Sequence, residues 1–276
     1  LKYIASSGGV SGTTLAKKYG FSYSRTDYTD ILNDPEVDTV LITTRHDSHA
    51  KLATEALKAG KNVFVEKPLA INREQLDEIV ETYKATLSGG LGSTLSVGFN
   101  RRFSPHAQAI KKALGEDPGA INVVATMNAG WIPSHVWLHD MQVGGGRIIG
   151  EACHYMDLCV YLTGSEIISV CMNSMGIGLQ ENTDNASMLL KFKNGSHAVI
   201  NYFANGAKSY RKERVEIFSR GRVFILDNFR KTRGYGVKGF KQVRTRINKG
   251  HKAQFRELIE RIQAGGEPLI PFDEIV

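Results

Sequence analysis

Short, unbroken apolar runs alternate with segments of helical spacing through the first hundred residues, and that alternation leaves few folds open. Thr39 to Thr43 is a continuous apolar run of the kind found in sheets covered on both faces. Ser48 to Ala59 then places Leu52, Ala56 and Leu57 on one helix face and meets Gly60 as its stop. Val63 to Val65 is the next strand. Asn72 caps a helix running to about Ala85, with Leu76, Ile79, Val80 and Tyr83 on one stripe. Leu95 to Phe99 is a further strand. Ahead of these, Lys2 to Ala5 reads as a short strand, Ser6-Ser7-Gly8-Gly9 as a loop, Thr13 to Tyr19 as a helix ended by Gly20, and Asp27 to Leu32 as a helical turn. Strands and helices in this order build a doubly wound parallel sheet.

The pattern changes after Asn100. Pro105 to Leu114 reads as a helix, Ile121 to Met127 as a strand, and Gly150 to Leu162 as an amphipathic helix ended by Gly164. Strands follow near Ile167–Met175, Ala186–Phe192, His197–Phe203, Arg214–Ser219 and Val223–Asp227, with Lys193-Asn194-Gly195 as a hairpin turn. Lys252 to Ala264 is a last long helix with Phe255, Leu258, Ile259 and Ile262 inward, and another helix is expected to begin near Pro271. The expected fold is α/β: a Rossmann-type parallel sheet over residues 1–100, lacking its first strand, then an α+β domain over 101–276 with a largely antiparallel open sheet. The uncovered face of that second sheet predicts a homo-oligomer.

Bulk properties narrow the function. A chain of 276 residues can build two cores, and 42% apolar with 23% charged residues is ordinary globular composition. No apolar run approaches the roughly 18 residues of a membrane helix, and no secretory leader is visible. Leu1 stands where a methionine would open a complete chain, inside a strand, so a piece of a longer polypeptide is expected. Cys153, Cys159 and Cys171 are an odd set without metal-like spacing, which predicts reduced thiols in the cytoplasm. His135, His139 and His154 form no ligand motif, so no metal is expected. The net charge of +7 is concentrated between Lys208 and Lys252. Such a run is either the solvated faces of a sheet or an attractor for an anionic substrate. No motif for nucleic acid accompanies it.

Chemistry enters at Glu66-Lys67-Pro68, directly after the apolar run Asn62 to Val65. The carboxyl end of a buried strand is where open α/β sheets hold ligands. Gly144-Gly145-Gly146 leads, through Glu151, to His154, which could face Lys67. A lysine beside a histidine can move a proton while a cofactor moves a hydride. The G-x-G-x-x-G fingerprint of dinucleotide sites is absent, since Gly8, Gly9 and Gly12 lack the spacing and follow what reads as the second strand. That strand ends in Ser6-Ser7 rather than the acid typical of NAD sites, a slight lean toward NADP. The three glycines at 144–146 serve either a flexible loop or close backbone approach to substrate. Trp131, Trp137 and His139 would form a sugar-stacking wall or cap the core.

Four motifs in order, Thr43-Thr44-Arg45-His46-Asp47-Ser48-His49, Glu66-Lys67-Pro68, Gly98-Phe99-Asn100-Arg101-Arg102-Phe103, and Gly144 through His154 to Asp157, resemble the glucose–fructose oxidoreductase / inositol dehydrogenase / rhizopine catabolism (Gfo/Idh/MocA) family. The resemblance covers nearly the whole chain. It is nearest to a bacterial branch in which this module follows a zinc-alcohol-dehydrogenase-like half. It implies an NADP- or NAD-dependent oxidoreductase acting on a sugar or polyol. Lys67 would hold the reacting carbinol oxygen, and His154 would be general base or acid. Glu66 and Pro68 would fix the loop that presents Lys67. Thr44, His46 and His49 would line the nicotinamide end of the cleft, with Thr43 beside them. Asn100 and Arg101 would form the floor, and Trp137 and His139 would contact substrate. In the family an aspartate stands four residues before the histidine. Here that position is Gly150, and Glu151 follows, rotated by about 100° on a helix; the longer Glu151 side chain would either still reach the cleft as the catalytic acid beside His154 or serve only the helix N-terminus. The alternative is therefore a sensing or scaffold protein of the same fold, without turnover.

Overall fold

The computed structural model describes residues 1–90, 92–178, 182–265 and 267–276. Its first part alternates as expected: β1 (Tyr3–Ala5), α1 (Gly9–Tyr19), β2 (Tyr23–Arg25), α2 (Thr29–Asn33), β3 (Thr39–Ile42), α3 (His46–Lys58), β4 (Asn62–Val65), α4 (Arg73–Ser88) and β5 (Leu95–Val97). Every pairing here is parallel, β1 with β2 and β3 with β4 with β5. Among the described residues no strand bridges β1 and β3, so the parallel strands form two sheets. The doubly wound order places a first strand at that point. Burial reflects the split. Leu41 on β3 is 51% exposed and Val10 on α1 is 86% exposed. Val63, Phe64, Val65, Leu95 and Val97, on strands covered from both sides, are exposed by 1% or less.

Helix starts differ from the expectation. α1 begins at Gly9 instead of Thr13, and α3 at His46 instead of Ser48. Arg45 holds the extended conformation of an N-cap, and His46 and His49 therefore sit in the first turns of a helix. Asn72 caps α4 as expected, its side chain accepting from the Gln75 N–H.

A 3-10 turn at Asn100–Phe103 leads into α5 (Pro105–Leu114), whose bounds match the sequence reading. Then come β6 (Asn122–Asn128), α6 (Cys153–Thr163), β7 (Ile167–Ser174), β8 (Asn185–Phe192), β9 (His197–Phe203), β10 (Glu213–Ser219), β11 (Arg222–Asp227), β12 (Lys231–Tyr235), β13 (Val243–Arg244) and α7 (His251–Gln263). β7 to β13 and β6 form one sheet in the order β13-β12-β11-β10-β6-β9-β8-β7, antiparallel except for β6 with β9. β2, β12 and β13 were not expected, because Tyr-Ser-Arg, Lys-Thr-Arg-Gly-Tyr and Val-Arg carry no apolar alternation. α5 and α6 cover one face of the large sheet, burying Val123, Ala125, Ile200, Val215 and Phe224. On the other face Leu189, Phe203 and Phe218 stay exposed.

The single amphipathic helix expected from Gly150 is a π-helical turn, Ile148–Ala152, followed by α6. α6 is buried on nearly every side because it is wedged against the 3-10 turn at residues 100–103, α5 and β9. α7 and the tail return to the first core. The Phe255 ring lies 4.8 Å from Phe64, Phe272 lies 4.4 Å from Tyr83, and Leu258, Leu269 and Ile270 join the same cluster. Asn100 thus marks where the chain leaves the first core, and His251 where it comes back.

Candidate active site

The site is built where β4 ends. Gly98 lets Glu66 lie across the end of β5, since a Cβ there would stand 2.7 Å from Glu66 Oε2 and 3.3 Å from its Cα. The Lys67–Pro68 peptide bond is cis. His49, 1% exposed, has its Nδ1 2.8 Å from the Pro68 carbonyl oxygen and its Nε2 3.1 Å from that of Thr44. It ties the β3 and β4 loops together and offers no free nitrogen to the nicotinamide end that the resemblance assigned to it. Held in this way, Lys67 reaches across to the second part of the chain and donates from Nζ to the Gly150 carbonyl at 2.7 Å.

That carbonyl belongs to the π turn, and His154 stands on the first turn of α6 beyond it. His154 is 8% exposed, and its buried Nδ1 has no hydrogen-bond partner among the described residues. Burial, and then the charges of Arg101, Lys67, Lys249 and His251, hold its imidazole well below the ordinary histidine range. At neutral pH a neutral imidazole therefore sits in the field of an ammonium. Such a pair can orient a hydroxyl and accept its proton.

Behind the pair lie two buried ion clusters. Arg101 was expected on the cleft floor, free for substrate. Instead its Nη2 donates to Glu213 Oε1 at 2.6 Å, the two side chains being 6% and 0% exposed. Its guanidinium also stacks over Tyr155. Lys249 Nζ lies 3.0 Å from the other Glu213 oxygen. Asn100, also expected to face the cofactor, spends its amide on the Lys249 carbonyl at 2.8 Å. Arg102 grips Asp157 through Nε and Nη2 and reaches Glu274 through Nη1. Burial and backbone geometry leave neither arginine available as a ligand.

Glu151 is likewise turned away. Its carboxylate accepts from the Tyr202 hydroxyl and lies 3.4 Å from Arg147 Nη2. Burial opposes its charge, but the Tyr202 hydrogen bond and the charges of Arg147, Lys212 and Lys67 outweigh that and keep its pKa below the ordinary value. Arg147, 1% exposed, also donates to the Gly130 carbonyl, so it pins the segment that carries Trp131 and Trp137. Glu151 therefore packs into the base of the second sheet and is not the partner of His154.

The glycine run closes on its own chain. A Cβ at Gly144 would stand 2.6 Å from the Leu138 Cα and the Trp137 carbonyl, and one at Gly145 would stand 2.8 Å from Ile71 Cβ. Glycine is needed there for loop packing, not for approach of substrate. Trp137 packs edge-on against His46 at 4.8 Å, while Trp131 is 67% exposed. His139 Nε2 is buried without a partner among the described residues. Thr43 and Thr44 are exposed at the end of β3, where Thr44 Oγ1 lies 2.6 Å from Ser48 Oγ. Ser6 and Ser7 lie at the end of β1, where Ser6 Oγ accepts from Gly8 N–H. The basic run does not form one patch. Arg220 pairs with Asp117, Arg222 binds the last carbonyls of α5, and Arg214 pairs with Glu216. Of these residues only Lys212 and Lys249 bear on the site.

The family described as "Oxidoreductase family, NAD-binding Rossmann fold" matches residues 1–88, and "GFO/IDH/MocA C-terminal domain" matches residues 111–223. Myo-inositol 2-dehydrogenase of Thermotoga maritima is 31% identical over 79% of this chain and 65% of its own length. The scyllo-inositol 2-dehydrogenase (NAD(+)) of Bacillus subtilis is 25% identical over 93% of this chain and 76% of its own. In the first of these alignments the chain spans less than two thirds of its relative. Levoglucosan dehydrogenase, in complex with NADH and levoglucosan, superposes with a TM-score of 0.83 at 22% identity, covering 96% of this chain and 82% of that one. An oxidoreductase domain protein from Kribbella flavida gives 0.86 at 23% identity, over 100% and 84%.

Proposed function

The chain belongs to the Gfo/Idh/MocA family of NAD-binding oxidoreductases, and on that premise we propose that it oxidises or reduces a carbinol of a sugar or polyol. The observation that supports this most is that Lys67, donating to the Gly150 carbonyl, stands near enough to the buried His154 for its charge to lower the pKa of that imidazole. The two side chains come from different halves of the fold, and the His154 Nδ1 is left unpartnered in a buried place.

The residues present fit the two ends of a nicotinamide dinucleotide. Lys67, His46 and Thr44 would flank the nicotinamide, and Ser6 and Ser7 the adenosine ribose. A glycine-rich turn for the pyrophosphate is not formed by the described residues. A strand entering between β1 and β3 would supply that turn and join the two parallel sheets. When bound, the cofactor supplies the acceptor or donor of hydride. Lys67 would exchange the Gly150 carbonyl for the carbinol oxygen and hold it. His154 would take the hydroxyl proton during oxidation and return it during reduction. Ser6-Ser7 tolerates either NAD or NADP; the Arg25 guanidinium is already engaged by Asp30.

We divide the chain into a cofactor domain of residues 1–100 joined by α7 and the tail, and a substrate domain carrying the large sheet. The exposed Leu189, Phe203 and Phe218 support a homo-oligomer formed through that sheet. The three free thiols suit a reducing cytoplasm. Among the described residues no helix is long and apolar enough to cross a membrane. A second reading, sensing without turnover, draws on Glu151, whose carboxylate is committed to Tyr202 and Arg147.

The test is NADH formation by the full polypeptide with myo-inositol and levoglucosan. Lys67→Met and His154→Asn should each lower kcat by roughly 10²–10⁴-fold while NADH fluorescence still reports binding. Undiminished turnover in both variants would defeat the mechanism. Binding of NADH without oxidation of any sugar would favour the sensor.

A further inference from the structure

His46 opens α3 and is 6% exposed. Its Nδ1 lies 2.8 Å from the Gly144 carbonyl oxygen, which fixes the hydrogen on that nitrogen and leaves Nε2 as the acceptor. Nε2 has no partner among the described residues, and it is not among the buried atoms left unsatisfied. The ring enters a space that exists only because residue 150 is glycine. A Cβ on Gly150 would stand 2.9 Å from His46 Cε1 and 3.4 Å from its Nδ1. The same Gly150 offers its carbonyl to Lys67 at 2.7 Å. One residue thus seats both the ammonium that would hold the reacting oxygen and a second imidazole beside it.

We infer that His46 is a specificity-determining wall of the reaction site: its Nε2 accepts a hydrogen bond from the hydroxyl adjacent to the one held by Lys67, and Gly150 is the residue that admits the ring. This rests on the dehydrogenase reading and narrows its substrate class to vicinal diols of sugars and polyols. The surroundings suit an acceptor. Burial, Lys67 and His49 disfavour a charged ring, against the Gly144 carbonyl and Asp47, which favour it, and the balance is a lowered pKa. Trp137 packs edge-on against the ring at 4.8 Å and carries the Arg45 guanidinium 5.7 Å from its own ring centroid. The imidazole cannot swing away from Gly144 without displacing that indole.

A cycle of His46→Ala, Gly150→Ala and the double variant tests this, read by kcat/KM for myo-inositol and for a deoxy-inositol lacking the neighbouring hydroxyl. Histidine ring NMR provides a readout independent of turnover. His46→Ala should lower kcat/KM for myo-inositol roughly 3- to 10-fold more than for the deoxy compound, the worth of one neutral hydrogen bond, whatever loss the two substrates share through the nicotinamide end. Gly150→Ala should displace the ring, shift its NMR signals and cost at least as much. The double variant should be no worse than Gly150→Ala alone. Equal losses on both substrates, or none, overturn the inference and leave the dehydrogenase reading standing. His46 signals unmoved by Gly150→Ala overturn its steric premise. A wild-type protein that turns over no polyol overturns both readings together.

Discussion

Glu213→Gln removes one negative charge and nothing else of consequence to shape. Glu213 is 0% exposed, with Arg101 Nη2 at 2.6 Å and Lys249 Nζ at 3.0 Å on its two oxygens. Arg101 is 6% exposed and Lys249 23%. The amide oxygen can still accept one hydrogen bond but carries no charge, so a guanidinium remains buried without a counter-charge. Breaking one side of such a pair costs about 3–5 kcal/mol. In a protein of this size each kcal/mol moves Tm by about 2–4 °C, so the midpoint should fall by roughly 6–20 °C. Urea unfolding followed by circular dichroism measures the free energy directly. Asp77→Asn is the control: Arg73 and Asp77 are 79% and 50% exposed, and losing that solvent-screened pair should leave the melt almost unchanged. The pH dependence has a definite sign. Burial opposes the Glu213 charge, but Arg101 and Lys249 outweigh it, and the folded pKa lies below the ordinary 4.5. Its contribution is then complete above about pH 4.5 and is lost as pH falls through the folded value. The variant should lack that part of the acid slope. A Glu213→Gln protein within 1 kcal/mol of wild type, with an unchanged slope, would refute the claim that Arg101 is committed to a buried counter-charge at Glu213.

Two further outcomes follow from the same geometry. His154 is held well below the ordinary 6.5 by burial first, then by Arg101, Lys67, Lys249 and His251. Oxidation needs the unprotonated ring, so the acid limb of kcat/KM should fall below pH 6.5; a limb at or above that value contradicts the assignment. Gly144→Ala drives a Cβ to 2.6 Å from Leu138 and Trp137 backbone atoms. It should cost about 1–3 kcal/mol, and a thermal melt superposable on wild type would show that the loop packing has been misread.

Much of the architecture is legible in the sequence because its strands and helices obey simple periods. The bounds of α5 match, Asn72 caps as its chemistry requires, and the apolar runs at β3, β4 and β5 pair in parallel. Periodicity is silent where an element carries no apolar alternation, as at β12, or where a helix is buried on nearly every side, as at α6. It also assumes one helical repeat. The π turn at Ile148–Ala152 changes the phase there, so the 100° argument about Glu151 could not say where that carboxylate would point.

The roles given to Arg101 and Asn100 failed for another reason. Their partners lie far along the chain: Glu213 is 112 residues from Arg101, and Lys249 is 149 residues from Asn100. Local spacing carries no trace of such pairs. One signal was nevertheless present. Glu213-Arg214-Val215-Glu216-Ile217-Phe218-Ser219 alternates so that Val215 and Ile217 face inward, and the same parity puts Glu213 inward with them. A carboxylate at an inward position of a strand requires a buried cation. The arginines of the Asn100-Arg101-Arg102-Phe103 motif, flanked by apolar residues, were the cations most in need of a buried anion. Matching the inward carboxylate to the inward guanidinium withdraws Arg101 from the substrate on sequence grounds alone, and leaves Lys67 as the cation free to meet it.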